Sequence, residues 1–143
     1  MILIAEGNDD CFEIVQKSFF NVGLRNKIIR FNAGSQIKDF LFSGTETNGI
    51  DLKKKYLILL CIDEIDVLQK IKNDENLSKI PVIILMREDS PEKIETCCDL
   101  GCSMCILRPD DDEYFIDILG KIGRFLLAVE IPKINKPEKK WKL

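Results

Sequence analysis

The chain has 143 residues, 45% of them hydrophobic and 31% charged, which is typical of one globular domain with a buried core. It contains no histidine, which excludes imidazole metal ligands, Ser-His and Cys-His catalytic pairs and a histidine phosphodonor. The net charge of −3 leaves the body of the chain acidic, so we expect no nucleic-acid partner.

The chain also lacks the features of an exported or membrane-bound protein. Its first residues have no basic start of a signal peptide, and its apolar runs reach about seven residues where a bilayer span needs about 20. The six cysteines are therefore expected to be reduced thiols. We expect a cytoplasmic protein without membrane contact, with one domain at residues 1–132 and a lysine-rich, basic tail at 133–143.

Short apolar runs alternate along the chain with amphipathic stretches, which predicts repeated strand–helix units. The predicted strands are residues 2–5, 27–31, 56–61, 82–86 and 103–107. Five such units predict an α/β fold, a doubly wound, flavodoxin-like (βα)5 parallel sheet of strand order 2-1-3-4-5.

Helix signals fall between these strands. Asn8 or Asp9 is a suitable N-cap for the first helix, and residues 36–42 and 64–72 carry helical periodicity. Pro91 suits the first turn of the fourth helix and Gly101 a left-handed end to it. Residues 110–112 are all Asp and favour the start of the fifth helix, because they oppose its dipole.

Ligands bind such sheets at the carboxyl ends of the strands, so the residues that follow strands one, three, four and five are the candidates. They are Glu6, Gly7, Asn8, Cys61, Met86, Arg87, Arg108 and Pro109.

Three segments near these positions resemble the receiver domain of two-component response regulators (CheY-like). They are ILIAEGN at residues 2–8, IPVIIL at 80–85, and DLGCSMCILRP at 99–109. The segment IGRFLLAVEIP at 122–132 is similar to stand-alone receivers paired with phytochrome-like histidine kinases. The resemblance spans about residues 1–132.

The resemblance implies a phosphorylation pocket, and this sequence departs from it at almost every position. Receivers use a carboxylate acceptor after strand three, an acidic pair for Mg²⁺ after strand one, a hydroxyl after strand four, an aromatic switch on strand five and a Lys after it. The corresponding residues here are Cys61, Glu6 with Gly7, Met86, Cys105 and Arg108. The sequence thus predicts a degenerate receiver with a vestigial pocket, no cofactor and no metal.

Two chemical alternatives stay open. Asp63, just beyond the third strand, could replace the missing acceptor in a phosphorylatable receiver, and Cys61 or Cys105 could serve a thiol-based sensor. A zinc site at Cys97, Cys98, Cys102 and Cys105 is not expected, because helix and strand periodicity point these side chains apart. They are expected to be structural thiols.

The fifth helix carries more apolar residues than it needs to pack one face against the sheet. Its residues Tyr114, Ile118, Ile122 and Phe125 predict an interaction face, shared with the fourth helix and fifth strand as the resemblance implies. A homodimer through this face is one expectation, and a folded-back tail that covers it is the other. The resemblance implies a signalling protein as partner, such as a histidine kinase or downstream effector.

Overall fold

The computed structural model describes residues 1–42, 50–61 and 65–131. Five parallel strands form one sheet in the order β2-β1-β3-β4-β5. The strands are β1 (Ile2–Ala5), β2 (Ile28–Phe31), β3 (Leu57–Leu60), β4 (Val82–Met86) and β5 (Met104–Leu107). The predicted doubly wound sheet and its strand order are confirmed, and each predicted strand agrees with the observed one to within a residue at either end.

In the described part of the chain, four helices connect these strands and a fifth follows β5. The helices are α1 (Asp9–Asn21), α2 (Gly34–Phe42), α3 (Asp66–Asn73), α4 (Pro91–Asp99) and α5 (Asp112–Ala128). A 3₁₀ turn, Leu77–Lys79, was not predicted. Across residues 1–42, 50–61 and 65–131, the model contains no helix with the length and apolarity to cross a membrane.

The predicted helix ends are confirmed by their hydrogen bonds. The Asn8 side chain accepts from the Cys11 N–H at the start of α1, and the Asp111 side chain caps α5. Gly101 has a φ of +93° just beyond the end of α4. A residue with a Cβ is strained in that conformation, which explains why glycine stands there.

The sheet separates two apolar layers, because successive side chains of a strand point to opposite faces. One layer, against α2, α3 and α4, contains Leu3, Ala5, Ile58, Leu60, Val82, Ile84 and Met86. The other, against α1 and α5, contains Ile2, Ile4, Leu57, Leu59, Cys61, Ile83 and Leu85. The same alternation assigns Glu6, Cys61 and Arg87 to the α1–α5 side of the sheet.

Helices α1 and α5 approach closely where α5 carries glycine. A Cβ added to Gly123 would lie 2.6 Å from Val22 Cγ2 and 3.4 Å from Phe19 Cδ1, whereas one on Gly120 would lie 3.7 Å from Val22 Cγ1. Only the 2.6 Å distance between a Cβ on Gly123 and Val22 is a clash, so Gly123 sets the spacing of the two helices.

Matched glycine substitutions in α5 test this packing. Both Gly120→Ala and Gly123→Ala gain helix propensity, worth up to about 1 kcal/mol. We expect Gly120→Ala to be neutral or stabilising, and Gly123→Ala to lose about 1–3 kcal/mol through overpacking against Val22. Urea unfolding of the three proteins measures the difference. Equal stability of the two variants would contradict the close approach.

Candidate functional site

Glu6 is the central residue at the carboxyl edge of the sheet. It follows β1 directly and its side chain is 0% exposed. Its Oε1 accepts from the Asn8 N–H at 2.9 Å and from Arg87 Nη2 at 2.5 Å. Its backbone is also held, since its N–H donates to the Phe31 carbonyl at 2.9 Å and its carbonyl accepts from Arg30 Nε at 3.1 Å. The carboxylate is therefore fixed in position.

Arg87 provides the positive charge beside this carboxylate. Its side chain is 43% exposed, so the cation lies at the mouth of the site with Glu6 beneath it. The resemblance had given this charge to Arg108. Arg87 was among the strand-end candidates but had no assigned role. Counting alternate residues along β4 from Ile83 and Leu85 would have placed Arg87 on the same side of the sheet as Glu6.

Arg108, the residue expected to supply the charge of the pocket, is not the ion-pair partner of Glu6, although its charge acts on the nearby Cys11 thiol and opposes the rise in its pKa that burial causes. Its guanidinium lies 4.7 Å from the centroid of the Phe115 ring, and its Nη2 is 3.7 Å from Asp112 Oδ1. Its N–H donates to the Met86 carbonyl at 2.7 Å, which extends the β4–β5 pairing. Arg108 thus stabilises the turn between β5 and α5.

Two buried thiols, Cys11 and Cys61, lie beside the Glu6 carboxylate. Burial raises the pKa of the Cys61 thiol well above 9.0, and the charges of Glu6 and then Cys11 raise it further. Burial and Glu6 likewise raise the pKa of Cys11 to about 11. Both residues are therefore neutral thiols at physiological pH. Sequence reasoning missed Cys11, although its place three residues after the Asn8 cap put it on the inner face of α1.

The second oxygen of Glu6 is left poorly solvated. Oε2 is buried and has no hydrogen bond of good geometry within the part of the chain that the structure describes. The neighbouring thiols interact with the carboxylate only weakly, as expected of S–H donors. Asp63, the possible alternative acceptor, lies outside the described residues.

Gly7 cannot carry a side chain in this backbone. A Cβ built on it would lie 2.9 Å from the backbone carbonyl oxygen of Asn32, and that loop is tied down because the Asn32 N–H donates to Gln36 Oε1 at 2.7 Å. A second acidic residue at position 7 would force the backbone after β2 to move. A carboxylate at position 7 is thus incompatible with this backbone.

The expected vestigial pocket is divided between the two sides of the sheet. Glu6 and Cys61 lie on the α1–α5 side, while Met86 is buried in the layer against α2, α3 and α4. Cys105, at the degenerate switch position, is half-buried against that same layer. Met86 therefore does not complete the pocket with Glu6. Its side chain points to the opposite face of the sheet from the side chains of Glu6 and Cys61.

The four cysteines around the end of α4 lie closer together than expected. Burial raises the pKa of Cys97, Cys102 and Cys105, and each is raised further by neighbouring cysteines of the group. Cys98 is one of the causes of the raised pKa of Cys102, so these two side chains lie close together. Regular periodicity failed here because the left-handed turn at Gly101 carries Cys102 back against the helix. Among the described residues, no group of three or more Cys, Asp or Glu is arranged to hold a metal ion.

The four residues expected on the interaction face differ in exposure. Tyr114 and Phe125 are 60% and 53% exposed, but Ile122 is buried and Ile118 packs partly into the core. Two further apolar residues on α5, Ile116 and Leu127, are also exposed. The surplus of apolar residues on α5 thus forms two exposed flanks, one on each side of the core-facing stripe. The basic tail at 133–143 lies outside the described residues.

Known structures provide the comparison. No protein-family model and no curated protein matches the sequence. The response regulator receiver domain from Rhodospirillum rubrum is 26% identical, with a TM-score of 0.84 over 92% of this chain and 96% of that one. The phosphorylated cyanobacterial phytochrome response regulator RcpA is 23% identical (TM-score 0.80, 92% and 96% covered). The Mn²⁺-bound response regulator Rcp1 is 22% identical (TM-score 0.81, 92% and 97% covered). The chain therefore has the fold of response regulator receiver domains and is similar to them over almost its whole length.

Proposed function

We propose that this chain is a degenerate receiver domain that acts in phosphorelay-type signal transduction through protein–protein contacts and is not switched by phosphorylation. One observation carries the proposal. The carboxylate at the metal-binding position, Glu6, is buried and paired with the protein's own cation, Arg87. Because Arg87 already neutralises the charge of Glu6, the site does not need a bound metal ion to do so.

The electrostatics of the edge support this proposal. Mg²⁺ prefers six oxygen ligands in near-octahedral geometry, and proteins usually supply one or two carboxylates together with phosphate and water. Here Glu6 is the carboxylate, Gly7 supplies none, and Arg87 lies 2.5 Å from the Glu6 oxygen. A divalent cation would have to displace that guanidinium and would repel it.

The residues at the acceptor position and at the hydroxyl position support the same conclusion. Cys61 is a buried, neutral thiol whose pKa is raised by burial, so it is a weak nucleophile. Met86 presents no hydroxyl to a phosphoryl group. These properties also disfavour a thiol sensor based on Cys61. Phosphorylation of Asp63 is the competing hypothesis, and it too requires Mg²⁺ at Glu6.

Protein–protein contact is assigned to the face formed by α4, β5 and α5. Residues 114 and 125 are 11 apart, which places them within about 20° of each other around a helix, so Tyr114 and Phe125 form one exposed apolar flank. Gly120 and Gly123 face Val22 of α1, and Tyr114 and Phe125 lie on the flank away from α1. Exposed apolar residues grouped in this way favour an interface, with a histidine kinase, an effector or a second copy of the chain.

The first test is phosphorylation. Full-length protein incubated with Mg²⁺ and acetyl phosphate is expected to show no gain of a phosphoryl group by intact-mass measurement. Cys61→Asp alone is also expected to fail, because Arg87 still occupies the carboxylate and Gly7 still lacks a side chain. A phosphoryl gain mapped to Asp63 or Cys61 in the wild-type protein would overturn the proposal.

The second test measures the Glu6–Arg87 pair by a double-mutant cycle. Arg87→Met leaves a buried carboxylate without its partner and is expected to cost about 2–3 kcal/mol, which is below the ~3–5 kcal/mol of fully buried pairs because Arg87 is partly exposed. Adding Glu6→Gln should recover about 1–2 kcal/mol of that loss, as measured by urea unfolding. Lys17→Met, which removes an exposed pair with Glu13, is the control and should cost under about 1 kcal/mol. Strictly additive effects of the two substitutions would show that the pair is not coupled.

The third test concerns the contact face. We expect the full-length protein to form a homodimer that Phe125→Arg dissociates, since the substitution buries an unpaired charge at the interface. Leu127→Arg is the matched control, because Leu127 is exposed to a similar degree on the opposite flank of α5. Sedimentation velocity over a concentration series measures both. A monomer at every concentration, or dissociation by Leu127→Arg alone, would refute this assignment.

A further inference from the structure

The end of α4 brings two thiols close together at a place remote from the Glu6 site. α4 closes with two crossed hydrogen bonds, from the Gly101 N–H to the Cys98 carbonyl at 3.0 Å and from the Cys102 N–H to the Cys97 carbonyl at 3.1 Å. This pattern reverses the chain at the left-handed Gly101. Cys102 is thereby placed against the last turn of the helix, close enough to Cys98 for that residue to contribute to the rise in its pKa.

We propose that Cys98 and Cys102 form a reversible disulfide when the protein meets a peroxide, which makes the end of α4 a site of oxidative modification. A disulfide needs its two Cα atoms within about 7 Å of each other, and the chain reversal at Gly101 brings Cys102 back against the helical turn that carries Cys98. The inference does not depend on the proposed function, because it concerns other residues and another reaction.

Exposure decides which thiol reacts first. Cys98 is exposed, Cys102 and Cys105 are half-buried and Cys97 is buried, so a peroxide in solution meets Cys98. Burial, followed by the neighbouring cysteines, raises the pKa of Cys102 to about 11. Cys102 is therefore a neutral thiol near pH 7 and a weaker nucleophile toward peroxide than a thiolate.

The reaction has two balanced steps. In the first, the Cys98 sulfur attacks the peroxide, the O–O bond breaks, and Cys98 sulfenic acid and water form. In the second, the Cys102 sulfur attacks that sulfur, the S–S bond forms, the S–O bond breaks and a second water leaves with the Cys102 proton. The two thiols lose two electrons and two protons, and one hydrogen peroxide becomes two waters. A dithiol reductant reverses the change.

The disulfide closes the turn between α4 and β5. The new bond keeps residues 98 and 102 together when the last helical turn opens, so oxidation limits how far α4 and β5 can separate at this junction. Cys97 is buried in the core, so a peroxide reaches it less readily than Cys98. Cys105 lies within β5 near the same group, and cleavage after Met104 distinguishes a bridge to it from a bridge to Cys102.

The test oxidises the reduced full-length chain with hydrogen peroxide at equimolar concentration. The intact mass is expected to fall by two hydrogens and to return on treatment with dithiothreitol. After free thiols are alkylated, cleavage before Asp99 and after Met104 separates Cys98, Cys102 and Cys105 onto different peptides. We expect the peptide that ends at Cys98 to remain linked to residues 99–104, with Cys97 alkylated.

Variants separate the two steps. Cys102→Ser should stop at the Cys98 sulfenic acid, which dimedone traps, and Cys98→Ser should lose both products. Cys61→Ser, which removes a buried thiol at the other site, should form the disulfide as the wild type does. A bridge through Cys97 or Cys105, a disulfide between two chains, or no loss of hydrogen at all would overturn the proposal.

Discussion

The arrangement of the carboxyl edge depends on the burial of one charge. A carboxylate removed from water is strongly destabilising unless it is paired and hydrogen-bonded, and Glu6 is fully buried. Arg87 supplies the pairing charge and the Asn8 N–H supplies a hydrogen bond. The same Asn8 caps α1, so the residue that starts the helix also holds the carboxylate. Cys11 and Cys61 pack against this group as neutral thiols.

Steric contacts, like the buried charge, determine which side chains fit at the carboxyl edge of the sheet. The carbonyl of Asn32 occupies the space that a side chain at position 7 would need, and alternation along β4 turns Met86 to the opposite layer. Residues that a linear comparison places in one pocket are thus separated by the sheet itself. These constraints produce a rigid edge, in contrast to the exposed surfaces of the molecule.

The surfaces to which we assign binding and oxidation lie away from that edge. The exposed flanks of α5 and the thiols at the end of α4 both lie where side chains reach solvent, whereas Glu6 and Cys61 do not. Burial raises the pKa of Cys61 and keeps it unreactive, while Cys98 is open to reagents. The difference between the two thiols is one of environment, since their chemistry is the same.

The sequence alone determined the fold class, the strand order and the helix ends. These depend on local signals: apolar runs of strand length, the Asn8 cap, and glycine at 101. It also identified Glu6 as the retained acidic residue and the apolar excess of α5. Only the tertiary structure decided that Arg87 pairs with Glu6 while Arg108 stacks on Phe115, that Gly7 lies against Asn32, and that Cys98 lies close to Cys102. The physical reason is that each of these contacts depends on how separate strands, loops and turns are placed in space, and periodicity within one element does not contain that information.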